Sequence, residues 1–261
     1  MDAWLKILLW LLLLPGGAAA FDHDHQAWDA LLKKHVVLLD GGKASRVGYT
    51  GMAQDRAALK GYLGEVSSVG AAEFARWSRS EQMAFLINAY NASMVEKILT
   101  RYPDIRSIWD FGKVFGNPFK DEFINLLGGK MSLDGIEHGM LRRHYADARI
   151  HYAVNCASVG CPMLREEAYA GVRLENQLEE QARRFLSDRS RNRARDGRLE
   201  VSRIFDWYKE DFEPRGRYFA RYAALLSDDR KEQQPVIDGK APLTFLDYDW
   251  SLNDSRSSSR R

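Results

Sequence analysis

The sequence predicts an α+β fold: a single, mostly helical domain with a small, mainly antiparallel sheet. Three observations carry this reading. Helical periodicities outnumber strand-like runs, the two kinds do not alternate as βαβ units would, and no segment repeats. Length agrees, because removing a 20-residue leader from the 261 residues leaves 241, within the range of one domain with a real core.

The leader is the first element. Lys6 precedes an apolar run from Ile7 to Leu14, closed by Pro15, Gly16, Gly17 and Ala18-Ala19-Ala20. A short apolar stretch ending in small residues is the pattern of a secretory signal, with cleavage expected after Ala20. The run falls short of the ~20 apolar residues that span a bilayer, and no second such run follows, so no integral span is expected after cleavage. The expected address is periplasmic or secreted. The expected organisation is signal peptide 1–20, one globular domain 21–252 and a disordered Ser/Arg-rich tail 253–261.

Within the domain, a first amphipathic helix is expected over His25–Leu39, stopped by Gly41-Gly42, and a second over Gln54–Val66. A third starts at a capping box, Ser78 with Glu81, and runs from Met83 to Tyr102 before Pro103. Its apolar stripe (Ala84, Ile87, Met94, Val95, Ile98) also contains Asn88 and Asn91. A buried amide without partners costs about 1–3 kcal/mol, so these two belong to a polar network. Two readings stand open: they hold neighbouring backbone, or they orient an active-site group or bind substrate.

An aromatic loop, Trp109–Phe119, is placed to fold over a cleft. A short strand and turn follow at Phe123–Lys130, then a helix capped by Ser132 that carries Glu137 and His138. Arg149–Val154 reads as a strand, Leu174–Leu186 as a helix and Arg198–Val201 as one arm of a hairpin. Helices over Ile204–Phe212 and Tyr218–Leu226 and a last strand over Leu243–Trp250 complete the order.

Charge excludes little but points away from nucleic acid. The 38 basic and 36 acidic residues nearly cancel, and the run Arg189, Arg191, Arg193, Arg195 reads as a solvated loop entering a turn at Asp196-Gly197.

Four segments together resemble a known family: the Asn88/Asn91 helix, Ser132–Arg142, Arg149–Pro162 and Phe245–Asn253. The resemblance is to the bacterial exported family of domain of unknown function 547. It implies a periplasmic address and names no reaction.

The chemistry rests on the two cysteines, both in Val154-Asn155-Cys156-Ala157-Ser158-Val159-Gly160-Cys161-Pro162. The small residues after Cys156 suit either the start of a helix or a tight turn; if a helix starts there, its dipole lowers the thiol pKa and makes a nucleophile. His138 and His151 both precede Cys156, an order that suits a circularly permuted papain-like arrangement. The leading expectation is therefore a thiol hydrolase or acyl/peptidyl transferase acting on a small-molecule or peptide substrate. Cys156 is the nucleophile, His138 or His151 the base, Glu137 or an asparagine the orienter, and Asn155, with Asn88 and Asn91, a substrate or oxyanion contact.

Two other classes compete. A structural Cys156–Cys161 disulfide would leave an envelope ligand- or protein-binding domain, and the same short bridge would alternatively be redox-active. No cofactor and no metal are expected. His23-Asp24-His25 has metal-binding residue types but, at an exposed terminus, no rigid geometry, and zinc-finger spacing is missing.

Overall fold

Why the helix Arg79–Leu99 organises the molecule is plain from its burial: nearly every side chain from Met83 to Leu99 is inside. A helix that is buried all round must pack against neighbours on every face. Those neighbours include the helix Arg56–Ser68, on which Gln26–His35 packs in turn, and the segments Gly135–Arg142 and Gly171–Arg173. The capping box at its start forms as expected, with Ser78 Oγ accepting from Glu81 N–H and Glu81 accepting from Ser78 N–H. The computed structural model describes residues 20–112 and 116–256. The leader and the residues after 256 lie outside the described residues.

The architecture is α+β. Helices dominate, and the strands form two hairpins, Val36–Leu39 with Ala44–Val47 and Ile124–Leu126 with Gly129–Met131, plus one three-stranded sheet. In that sheet Arg198–Ser202 pairs antiparallel with Arg193–Arg195 and parallel with Leu243–Leu246. Among the described residues, no helix is long and apolar enough to cross a membrane. One apolar cluster gathers around the central helix, and a second forms around Tyr152, Phe185, Phe205, Phe212 and Phe219.

Several expectations are corrected. Arg149–Val154 is not a strand: Ile150–Ala153 is one helical turn with all four side chains buried. Asp147 Oδ1 accepts from Arg149 N–H at 2.9 Å, starting the turn and overriding the β-branched bias. The first helix stops at His35, and Val36–Leu39 forms a strand. Gly41 and Gly42, at φ 64° and 86°, make the turn of a hairpin rather than a helix stop. The final strand ends at Leu246, and a further helix covers Arg230–Ile237, with Pro235 inside it.

The N-terminal histidines are also placed differently. His25 is buried, its Nδ1 2.8 Å from Tyr62 Oη, and burial lowers its pKa to about 4. His23 packs edge-on against Trp77 at 4.6 Å. Among the described residues, no group of three or more His, Cys, Asp or Glu side chains is placed to hold a metal ion.

The tail boundary at Asn253 moves as well. Asn253 and Asp254 are buried, and Tyr49 Oη donates to Asn253 Oδ1 at 2.9 Å. Part of the arginine run is structural too: Arg193 and Arg195 lie in a strand, and Arg191 donates to the Cys161 carbonyl and pairs with Asp188.

Candidate active site

A cleft of about 430 Å³ brings Glu137, His138, His151, Cys156 and Cys161 together. Each arrives on a different element. Glu137 and His138 come from the π-helical segment Gly135–Arg142, whose entry is capped by Ser132 Oγ accepting from Gly135 N–H. His151 comes from the turn Ile150–Ala153, and the cysteines from the loop after it.

That loop is held from behind by asparagines. Asn91 donates to the Ala153 carbonyl at 2.9 Å and accepts from Asn155 N–H at 2.8 Å. Asn155 in turn donates to the Pro162 carbonyl and accepts from Ala157 N–H, closing the loop on itself. Asn88 does the same service at Tyr169, donating to its carbonyl and accepting from its N–H. All three amides are thus spent on backbone and none lines the cleft.

The C-terminal segment braces the outer side. Asn253 N–H donates to the Ala157 carbonyl, Val159 N–H to Ser251 and Gly160 N–H to Asp249. At Gly160 any Cβ would sit 2.9 Å from Asp249 N and 3.1 Å from its carbonyl oxygen, so only glycine permits this approach.

Cys156 does not begin a helix. It sits in a tight turn, with Ala157 at φ 61° in the left-handed region, so the stabilisation expected from a helix dipole has no source here. Side chains supply it instead. Cys156 Sγ lies 2.8 Å from Cys161 Sγ, 3.1 Å from Tyr248 Oη and 3.4 Å from Ser158 Oγ. Burial opposes a thiolate at Cys156, but hydrogen bonds from Cys161, Ser158 and Tyr248 outweigh it and hold the thiol below its ordinary value. Cys161 is raised, by burial first and by its neighbour's charge. Both cysteines are free.

His151 is clamped. Its Nε2 is 2.6 Å from Asp211 Oδ2 and its Nδ1 is 3.6 Å from Glu137 Oε1, while its ring stacks on Tyr208 at 3.9 Å. Asp211 is also gripped by Arg142 through two hydrogen bonds. Burial disfavours the imidazolium, yet Asp211 and Glu137 outweigh it and raise the His151 pKa. Burial likewise opposes charge on Glu137, and the contacts with His151, His138 and Tyr208 prevail to lower its value. The hydrogen bond from His151 is the largest cause of the depressed Asp211 pKa. His138 lies on the cleft wall, 39% exposed, with Nε2 3.8 Å from Asp134. Among the described residues, no hydrogen bond joins either imidazole to Cys156.

Sequence reading missed Asp211, Tyr208, Tyr248, Trp207 and Trp250, while Trp109 and Phe119 of the aromatic loop expected over a cleft do line this one. Asp211 carried no signal, being one acid in a mixed helix. Tyr248 and Trp250 lay in a segment the resemblance had singled out, but read as strand.

The clamp has a pH signature. Imidazolium stability is fully present below the ordinary value of 6.5 and is lost as pH rises through the raised folded value. The lowered carboxylates work oppositely: their contribution is present above their ordinary values, 4.5 for Glu137 and 3.8 for Asp211, and fades as pH falls through the folded ones. Stability is therefore expected to peak in the mildly acidic range and decline on the alkaline side. Urea midpoints at pH about 6, 7.5 and 9 check this, with His151→Gln expected to flatten the alkaline decline. A wild-type midpoint constant over that range would contradict the clamp.

Against known proteins, the model of the family described as "Protein of unknown function, DUF547" matches residues 74–186. Over those residues the chain is similar to the DUF547 family. The match contains Asn88, Asn91, Glu137, His138, His151 and both cysteines, whereas Tyr208, Asp211, Tyr248 and Trp250 come from beyond it. Comparison with curated proteins and with solved structures found no match.

Proposed function

We propose that this chain carries a dithiol centre that performs thiol–disulfide exchange, with Cys156 attacking and Cys161 resolving. One observation carries the reading: two free sulfurs 2.8 Å apart at one cleft, the outer thiol shifted down and the inner one up. An exchange centre needs this asymmetry, because a thiolate attacks while its partner waits protonated.

The Cys156 thiolate attacks a substrate disulfide, forming a mixed disulfide and releasing one substrate thiolate, which takes up a proton. Cys161, deprotonated, then attacks Cys156 Sγ, forming the Cys156–Cys161 bond and releasing the second substrate thiolate. The substrate gains two electrons that the protein loses, so a second dithiol must reduce the protein for turnover. Export, proposed from the leader, suits this chemistry because disulfides persist in oxidising compartments.

A second reading keeps Cys156 as the nucleophile of a circularly permuted papain-like hydrolase or acyl/peptidyl transferase. It is favoured by His138 on the same cleft wall, oriented toward Asp134. In that reaction the sulfur is acylated and Cys161 has no covalent role.

Alkylation across pH with mass spectrometry separates these. Exchange predicts that Cys156 titrates below the ~8.5 of a free thiol, that Cys161 reacts only at higher pH, and that a mild oxidant bridges them reversibly. Titration of Cys156 at or above the free value overturns the reading. A bridge that resists small dithiols supports instead the binding domain with a structural disulfide.

A further inference from the structure

The cleft above the sulfurs is walled by aromatic rings, and its permanently ionised lining groups are carboxylates. From Tyr248, whose hydroxyl touches Cys156, a row runs through Trp250 at 4.5 Å and Trp109 at 5.3 Å to Phe119 at 5.7 Å. Trp207 stacks on Trp250 at 5.6 Å, so the row has a second layer. Two of these rings are held open to solvent rather than buried: Trp109 is 41% exposed and Trp207 45%. Tryptophans clustered at the mouth of a concave site, at that exposure, mark a ligand surface.

Charge narrows the ligand. The lining contains the carboxylates of Asp134 and Glu137, the imidazoles of His138 and His151, and no lysine or arginine among the described residues. Lys120 reaches Asp134 electrostatically but does not line the cleft. Arg142, nearest to this network, is spent on Asp211. An acidic small-molecule disulfide would meet the Asp134 and Glu137 carboxylates with no guanidinium or ammonium, among the described residues, lining the cleft to neutralise its own. Length narrows it further, since the ring row matches about four or five residues of extended chain at ~3.3 Å each.

We propose that this cleft binds an extended, apolar and neutral-to-basic peptide segment bearing a disulfide-bonded cysteine, laid along the row from Tyr248 to Phe119 with its sulfur at Cys156. The inference rests on the dithiol reading for the sulfur and on the ring row and charge for the segment. The substrate class is therefore a disulfide-bonded, cysteine-containing stretch of unfolded polypeptide, not a small acidic disulfide.

Three labelled hexapeptides with serine in place of cysteine test it on the full mature protein by fluorescence anisotropy. One carries leucine, phenylalanine and lysine, one the same apolar residues with aspartate, and one glycine and serine only. The first is expected to bind at least about ten-fold more tightly than the others, and Trp109→Ala to weaken it several-fold, with Val172→Ala, exposed elsewhere, as an unaffected control. Trp250→Phe, which keeps a ring, is expected to retain binding that Trp250→Ala loses. Equal affinity for all three peptides, indifference to Trp109→Ala, or stronger binding of glutathione than of the apolar peptide overturns the proposal. Because the probes hold no sulfur, their binding is independent of exchange: probe binding with no mixed disulfide from the first peptide remade with cysteine as a symmetric disulfide sinks the dithiol reading alone, and exchange with small disulfides without probe binding sinks this one alone.

Discussion

Cys161→Ser is expected to stall the protein as a mixed disulfide through Cys156, while Cys156→Ser leaves no adduct and lowers the rate of reaction with a model disulfide at least about 1000-fold. The reason is geometric. Cys161 Sγ is the sulfur within reach of Cys156 Sγ, so removing it leaves the first exchange step intact and deletes the second. Serine keeps a hydroxyl that donates where the Cys161 thiol donated, so the loop has little cause to rearrange. Mass spectrometry of the intact variant after reaction reads the adduct directly. If Cys161→Ser turns over like wild type, resolution does not pass through Cys161, and acyl chemistry at Cys156 becomes the stronger reading. A stable thioester with an activated acyl donor would establish it.

Asn91→Ala is expected to destabilise the fold by about 2–5 kcal/mol, because it orphans two buried backbone groups at ~1–3 kcal/mol each, the Ala153 carbonyl and the Asn155 N–H. For a chain of this size that corresponds to a fall in Tm of roughly 5–15 °C. Asn88→Ala is the informative comparison. It orphans an equivalent pair at Tyr169, eight residues beyond Cys161 and outside the cysteine loop, and is expected to cost similar stability. The two should part in reactivity: Asn91→Ala releases the residue beside Cys156 and is expected to shift the pH dependence of its alkylation, whereas Asn88→Ala leaves it in place. Thermal unfolding and the alkylation profile measure both. Identical profiles would show that Asn91 acts on stability alone.

These two asparagines also show how far reading the chain goes. That they belong to a polar network followed from amides on an apolar stripe and the cost of burying them unpaired. Which of the two open roles they fill did not follow, because their partners at Ala153, Asn155 and Tyr169 are distant in the chain. The strand expected over Arg149–Val154 failed for a related reason. In a segment buried on all sides, alternation carries no information, and a local bond from Asp147 decided the conformation.

By itself the sequence determined the α+β class, the capping box at Ser78, the helix Leu174–Leu186 and the resemblance to the DUF547 family. These depend on local periodicity, on short-range hydrogen bonds and on residue type, all written in consecutive positions. Only the tertiary structure decided that Cys156 takes its hydrogen bonds from Cys161, Ser158 and Tyr248 rather than from a helix, that Asp211 clamps His151, and that tryptophans from separate segments wall one cleft. Those arrangements join residues 60 and 92 positions apart. A pair so separated leaves no periodic trace in the chain, and only the packing of the two apolar clusters brings it into contact.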